Sequence, residues 1–329
     1  MITMKAKTIT ATLILLGFFQ LTFGQITETE KQLKTQTADT LQDWKTGGVI
    51  ALTLAQTSLT NWAAGGENSV ASNGLFSIFA NYREDKTAWD NSMDIGYGIL
   101  KQGKDVAIRK TDDRIDILSK YGKRAFTSFY YAVLLNFKTQ MTPGYNYPND
   151  SVRISTLLAP AYLLVAAGID YKPNDYFGAF VAPVTGKMTI VNDQVLADAG
   201  AFGVTPAAYD NAGNVVRHGK KTRSELGGYC RVIYTRNDFD NEFLRNVSFT
   251  TKIDLFSNYL HNPQNIDISW ETQIAFNVNK YIAVNFNTHL LYDDDIKIAV
   301  DTNGDGIIDE IGPRTQFKEI LGVGFAYKF

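Results

Sequence analysis

The segment of this sequence most suited to binding chemistry is acidic and glycine-containing, at 301–310. It reads Asp-Thr-Asn-Gly-Asp-Gly-Ile-Ile-Asp-Glu. Calcium loops take oxygen ligands from positions 1, 3 and 5, from the backbone carbonyl of position 7, and from position 9. The spacing therefore predicts a Ca²⁺ site whose ligands are Asp301, Asn303, Asp305, Ile307 and Asp309.

The same segment departs from the calcium-loop pattern at position twelve, where Gly312 replaces the bidentate glutamate. Two interpretations stay open. One is a weak Ca²⁺ site that orders the loop, and the other is a solvated turn, because Asp, Asn and Gly form turns without any metal. Calcium is the one cofactor that the sequence suggests.

The three histidines of the chain do not form a catalytic pattern. They are His218, His261 and His289, and no HExxH or GxSxG motif surrounds them. A serine hydrolase needs serine and histidine within hydrogen-bond reach and a third, orienting group. We therefore predict that the protein is not an enzyme, and a hydrolase ranks behind the two functions considered below.

A second candidate site is the glycine-rich stretch that follows the first predicted strand. Consecutive glycines permit positive φ and close approach of the backbone, and a tryptophan beside them could stack on a ligand. The alternative is a tight loop whose tryptophan lies at a membrane headgroup layer. The residues concerned are Asn61, Trp62, Gly65 and Gly66.

Alternation of apolar and polar residues dominates the chain beyond Trp44. In 281–294, for example, Val284 and Phe286 share one face while Asn285 and Asn287 share the other, which is the period of a β-strand. Twelve such segments follow one another: 44–57, 69–83, 88–101, 111–123, 126–140, 154–172, 176–190, 222–236, 242–258, 266–278, 281–294 and 316–329.

The connections between these segments alternate between short and long. The short ones are predicted at 84–86, 122–125, 173–175, 237–241 and 279–280, and the long ones at 58–68, 102–110, 141–153, 191–221, 259–265 and 295–315. Short periplasmic turns and long outer loops are typical of transmembrane barrels. We therefore predict an all-β fold, an antiparallel up-and-down transmembrane β-barrel of about twelve strands.

The two faces of the strands support a membrane setting, because apolar side chains face outward and polar ones inward. The predicted lumen-lining residues are Asp90, Asp94, Arg114, Asp116, Lys120, Lys138, Arg223, Glu225, Arg231, Glu271 and His289. Both signs of charge are present. A rigid, salt-bridged interior and a weakly selective pore are both compatible with this set.

The amino terminus indicates export. Lys5 and Lys7 precede a short apolar run that ends at Thr22-Phe23-Gly24, the pattern of a cleaved signal peptide. We predict a signal peptide over 1–24, a polar periplasmic tail over 25–43 and the barrel over 44–329. The net charge of −2 gives no basic field, so nucleic acid is not an expected partner.

The stretch Trp44-Lys-Thr-Gly-Gly48, followed by Gln56 to Asn68 with its Asn-Trp-Ala-Ala-Gly-Gly core, resembles a family of Bacteroidota outer-membrane proteins of unknown function. The terminal strand, which ends on Phe329, resembles the last-strand signal of outer-membrane barrels. These resemblances imply a location in the outer membrane, contact with its lipid, and the barrel assembly machinery as a partner. They imply no substrate.

Two functions follow from these expectations. The first is a small channel or uptake barrel with a mixed-charge lumen. The second is a structural or accessory barrel that binds other envelope proteins through its outer loops or its periplasmic tail. A continuous polar lumen would favour the first, and a sealed lumen beside an exposed apolar loop patch would favour the second.

Overall fold

Antiparallel strands form a closed ring in the computed structural model, which describes residues 43–60, 66–104, 106–147, 149–242, 244–278, 283–300 and 309–328. Twelve strands make up the ring in this part of the chain, each paired with its sequence neighbours and the last paired with the first. The predicted up-and-down β-barrel is confirmed. The predicted signal peptide and nearly all of the predicted tail lie outside the described residues.

We number the barrel strands β1 to β12 in chain order. Their bounds are Asp43–Thr57, Ser69–Glu84, Thr87–Gln102, Arg109–Phe126, Phe129–Thr139, Ala161–Tyr171, Phe177–Ile190, Thr222–Arg236, Val247–Asn258, Ile266–Asn277, Ala283–Tyr292 and Gln316–Lys328. The sequence alternation explains these strands. In β5, Tyr131 and Val133 are exposed on the outer face, while Leu134 and Asn136 are buried on the inner face.

The two ends of the barrel differ in the length of their connections. At one end, called the turn end, lie the start of β1, the finish of β12 and connections such as 85–86 and 127–128. At the other, called the loop end, lie 58–68, 103–108, 140–160, 191–221, 259–265 and 293–315. The alternation is not strict, because the turn-end connection 237–246 is longer than the loop-end connection 103–108.

The predicted turn at 122–125 is wrong. β4 continues to Phe126, and the chain reverses at 127–128, where Ser128 has a φ of 66°. Gly122 and Arg124 still pair with Ala132 and Tyr130 of β5. A glycine can lie inside a strand as well as in a turn, and here the strand continues past Gly122.

The predicted strand 154–172 is also wrong at its beginning. Arg153–Ser155 pairs with Gly144–Tyr145 in a small hairpin of the loop-end connection 140–160. The barrel strand β6 starts only at Ala161. Pro160 explains the boundary, because proline has no N–H with which to extend the barrel ladder.

A β-bulge marks the middle of β7. Three residues of β8, from Gly227 to Tyr229, face four of β7, from Thr185 to Ala182, and the register against β6 shifts at the same place. The additional residue adjoins Pro183, which cannot donate to either neighbouring ladder. Because of the additional residue, the inward-facing positions change from even to odd numbers. Phe180 and Ala182 are buried before the bulge, and Thr185 and Thr189 are buried after it.

A short helix, α1 (Gln194–Asp198), lies within the loop-end connection 191–221. No helix in the described ranges has the length and apolar character needed to cross a membrane.

Cys230 gives a direct check on the strand faces. In β8 it pairs with Val181 and Leu255, and Val181 is exposed on the outer face. We predict that a membrane-soluble maleimide modifies Cys230 in liposomes and that a charged, membrane-impermeant maleimide does not. Measured by mass spectrometry, preferential labelling by the charged reagent would place Cys230 on the inner face and reverse the register of β8.

Candidate functional site: the barrel interior and its polar chamber

The structure places all the predicted lumen-lining residues on the inner face of the barrel. They are Asp90, Asp94, Arg114, Asp116, Lys120, Lys138, Arg223, Glu225, Arg231, Glu271 and His289. They do not converge on one point. Their contacts divide them among three levels between the turn end and the loop end, and some of them border a chamber on one side of the interior.

The level nearest the turn end is a cluster of three cations and two carboxylates. Lys120 Nζ lies 2.9 Å from Asp170 Oδ2, and Lys172 Nζ lies 3.3 Å from both Asp170 Oδ2 and Asp90 Oδ2. Arg83 also pairs with Asp90. We call these five residues the turn-end cluster. These residues come from β2, β3, β4, β6 and the chain just after β6. Their ion pairs therefore connect strands that are not neighbours in the sheet, such as β4 and β6.

The middle level contains three ion pairs. Arg231 makes two hydrogen bonds to Asp254, of 2.6 and 3.0 Å, and the Tyr229 hydroxyl donates to the same carboxylate at 2.7 Å. Lys252 Nζ lies 2.7 Å from Glu271 Oε1. The third pair joins Lys138 Nζ to Asp116 Oδ2 at 3.5 Å. Paired geometry of this kind offsets the desolvation of buried charges.

The level nearest the loop end is organised by Lys187 of β7. Its ammonium lies 2.6 Å from Asp267 Oδ2, 3.5 Å from Asp293 Oδ2 and 3.8 Å from Glu225 Oε2. Arg223 adds an ion pair of 2.9 Å to Glu225. Asp267 lies three strands away from Lys187 in the ring, so this side chain reaches across the interior.

An apolar cluster fills another part of the interior. It contains Leu134, Phe180 and Phe256, all buried, with the ring of Tyr229 packed beside Phe180. These residues belong to β5, β7, β8 and β9. The expected polar interior is therefore only partly correct. The side of the barrel formed by these strands has a packed core, as a filled barrel has.

The opposite side of the interior contains a chamber. The centres of water-sized molecules can occupy about 130 Å³ of it, and the space free of atoms is about 940 Å³ when the open solvent at its mouth is counted. β1 to β4 and β10 to β12 form its wall, and we call it the polar chamber. Its lining residues are Ala51, Thr53, Asn73, Gly74, Leu75, Gly96, Asp112, Arg114, Glu271, Gln273, Asn285, Asn287, Thr288, His289, Lys318, Ile320 and Gly322.

The charged groups that border the chamber have partners close by. Lys318 Nζ lies 2.7 Å from Asp112 Oδ1, and Glu271 is paired with Lys252. His289 Nε2 lies 3.0 Å from the hydroxyl of Ser269. The chamber therefore presents hydrogen-bonding groups and paired charges to a solute, with no excess of one sign.

Carboxamides are the lining groups that sequence reasoning left out of the site. The alternation in 281–294 already predicts that Asn285 and Asn287 share the polar face, but the predicted lumen set contains only charged residues and His289. Gln273, from β10, also lines the chamber. Asn73, from β2, joins them in the structure. Repeated Asn and Gln at inward positions was the signal that could have identified this wall.

The two candidate sites in loops are the glycine-rich stretch after β1 and the predicted Ca²⁺ loop, and most of their residues lie outside the described ranges. This holds for Asn61, Trp62 and Gly65, and for Asp301, Asn303, Asp305 and Ile307, so Ca²⁺ binding stays a prediction. Gly66 has a φ of 116°, which glycine adopts readily. Within the ranges the structure describes, no group of three or more His, Cys, Asp or Glu side chains is arranged to hold a metal.

The loops 140–160 and 191–221 pack on each other at the loop end. Val191, Leu196 and Val204 are buried together with Ala159, and Arg153 forms an ion pair with Asp193. In the same loop, the backbone N–H of Gly219 donates to Asp198 at 2.7 Å, and this hydrogen bond lowers the pKa of Asp198. The two loops thus form a small folded cap.

Aromatic side chains gather on the outer surface at the turn end. The ring of Trp44 lies 5.2 Å from that of Tyr82 and 5.6 Å from that of Trp89. Further contacts of 4.8, 4.5, 6.4 and 6.2 Å join Phe126–Phe129, Phe129–Tyr171, Tyr171–Phe177 and Tyr234–Phe249. A band of this kind belongs where an apolar surface meets water.

Two solved structures resemble the chain at low similarity. An outer membrane channel from Pseudomonas putida F1 has 9% identity and a TM-score of 0.41, covering 90% of this chain and 98% of that one. The translocator domain of the autotransporter NalP from Neisseria meningitidis has 9% identity and a TM-score of 0.34, covering 97% of each. The fold assignment therefore depends on the strand pairing described above.

Comparison with curated proteins finds no match for the sequence. The resemblance noted in the opening motif has a counterpart among protein families. Residues 54–145, from the last part of β1 to the loop after β5, match the family described as "Protein of unknown function (DUF3078)".

Proposed function

We propose that this protein is an outer-membrane β-barrel that admits small polar solutes, with the polar chamber as their route. The observation that carries the proposal is the chamber itself, a space lined by amide, hydroxyl and charged groups together with apolar ones, on one side of a barrel whose other side is packed. Its lining of amides, hydroxyls and paired charges suits small, hydrated solutes.

The outer face supports the membrane part of the proposal. Large apolar side chains such as Ile50, Leu135, Val181 and Leu321 are exposed on it, and the aromatic band borders it at the turn end. A barrel satisfies its backbone hydrogen bonds within the sheet, as a membrane requires. In this proposal the turn end faces the periplasm, and the barrel assembly machinery inserts the chain through its last strand.

The proposed route can be tested by filling the chamber with a large side chain. Thr53→Trp places an indole in the chamber, and Leu52→Trp places the same group on the outer face of the same strand, where Leu52 is exposed. We expect Thr53→Trp to slow the swelling of proteoliposomes in a small sugar roughly tenfold, because permeation depends on the free cross-section of the pore.

Leu52→Trp is the matched control and should swell like the parent protein. Equal swelling of all three proteins, each shown to be folded, would mean that solutes do not pass through the chamber. Absence of swelling by the parent protein would reject the transport function.

A second function is favoured by one observation at the loop end. A small hairpin of Ala208–Tyr209 and Val215–Arg217 carries exposed apolar side chains, Tyr209 at 56% and Val216 at 70%. Such side chains suit contact with another envelope protein. Tyr209→Ser combined with Val216→Ser should leave swelling unchanged in either case, and loss of a co-purifying envelope partner would support the accessory function.

A further inference from the structure

The junction of β1 and β12 has the shortest ladder in the described ring. Val49–Thr53 of β1 pairs with Gly324–Lys328 of β12, and the ladder ends there. All other neighbouring barrel strands, in the ranges described, pair over a longer stretch.

Both strands continue toward the loop end beyond this ladder. Residues 54–57 of β1 pair with β2 alone, and residues 316–323 of β12 pair with β11 alone. If the register continued, Leu54 would face Val323 and Thr57 would face Ile320. The facing edges are therefore unpaired over four residues of β1, which is about 13 Å at the rise of a β-strand. We call this stretch the seam.

The seam lies between an apolar surface and the polar chamber. On its outer side Leu54, Leu321 and Val323 are exposed by 42%, 68% and 42%. On its inner side Ile320 and Gly322 line the chamber. Unpaired backbone groups in hydrocarbon cost several kcal/mol each, so a seam in a membrane favours an occupant that brings polar groups to it.

The chamber indicates the chemistry of that occupant. Of its charged residues, Lys318 is paired with Asp112 across the chamber, and Glu271 is paired with Lys252, which lies outside the lining. A charged head group would have to compete with these pairs, whereas hydroxyl groups can bond to the amides of Asn73, Gln273 and Asn287. An uncharged, hydroxyl-rich head group therefore fits best.

We propose that the chamber takes an amphiphile, whose uncharged hydroxylated head group lies inside the chamber and forms hydrogen bonds to the unpaired backbone of the seam, and whose alkyl chain leaves the seam on its outer side into the membrane. This inference rests on the proposed function, because it treats the chamber as the place where solute enters. Besides the route of small solutes along the chamber, the seam provides a lateral route between the chamber and the membrane. The expected substrate class is a glycolipid-like molecule.

The first test closes the seam. In a Cys230→Ser background, Gln56→Cys with Leu321→Cys joins the unpaired edges, by oxidation or by a bismaleimide when the sulfurs are too far apart. Leu52→Cys with Phe325→Cys is the matched control, because these residues are already paired within the ladder. The probe is octyl glucoside, with glucose at the same concentration as its polar counterpart.

We expect octyl glucoside to reduce the ion current of the parent protein and of the cross-linked control at least several-fold more than glucose does. Closing the seam should abolish this excess and leave the current without ligand unchanged. Equal inhibition of the closed-seam and control proteins would overturn the lateral route.

A second readout separates this inference from the proposed channel. An alkyl glucoside with a photoreactive group at the end of its chain should label Leu54, Leu321 or Val323 in proteoliposomes, whether or not the protein conducts. Excess unlabelled octyl glucoside should reduce that labelling. Labelling spread evenly around the apolar belt would reject the seam as the binding place, even for a protein that conducts.

Discussion

Replacing Gly168 with alanine should prevent the barrel from folding. Gly168 lies in β6 opposite the bulge of β7, and a Cβ atom at this position would overlap the carbonyl oxygen of Val181 and the Cα of Ala182. Both obstacles are backbone atoms, so no side-chain rotation can relieve the overlap. Separating β6 from β7 would break ladder hydrogen bonds on both sides of the bulge.

The measurement is refolding from urea into detergent micelles, followed by the mobility difference between heated and unheated protein on gels. Gly186→Ala is the matched control, because it changes a glycine of β7 where no described atom lies within 4 Å of an added Cβ. It should fold like the parent. If Gly168→Ala folds with the parent's yield and urea midpoint, the described approach of β6 and β7 is wrong.

Removing the carboxylate of Asp170 should destabilise the barrel strongly. Asp170 is buried and contacts both Lys120 and Lys172. In Asp170→Ala, Lys172 retains Asp90, but Lys120 loses the carboxylate with which it forms its ion pair. Breaking one partner out of a buried pair costs roughly 3–5 kcal/mol, because a charge is left buried and uncompensated.

The double variant Asp170→Ala with Lys120→Met provides the control. It removes the uncompensated ammonium and keeps most of the side-chain volume, so the free energy of unfolding in urea should recover most of the loss. A double variant as unstable as Asp170→Ala alone would show that the loss comes from packing. A single variant as stable as the parent would mean that the turn-end cluster does not hold these strands together.

Much of the barrel could be predicted from the sequence because alternation is a local property. Outward Tyr131 and inward Asn136 follow from the period of two, and the loop 191–221 stands out between two alternating segments. The wrong boundaries occur where a residue type is compatible with more than one local structure. The predicted turn at 122–125 begins at Gly122, which lies inside β4, and the predicted strand 154–172 includes a segment before Pro160 that pairs within its own loop.

The site was harder to predict, because its shape depends on which inward side chains meet across the ring. Lys187 and Asp267 are far apart in sequence and come together only when the barrel closes. The packing of Leu134 with Phe180 and Phe256 on one side, which leaves the chamber on the other, likewise depends on strand order and stagger. Inward alternation identifies candidates for the lumen and does not show which of them touch.

The most direct test of the proposed function is the current through single molecules of the purified, folded protein in a planar lipid bilayer. We expect discrete conductance steps with weak ion selectivity, because charges of both signs line the chamber. Arg114→Glu, at the chamber wall, should move the reversal potential in a salt gradient toward cation selectivity. Bilayers that contain verified folded barrels and show no steps would contradict a channel.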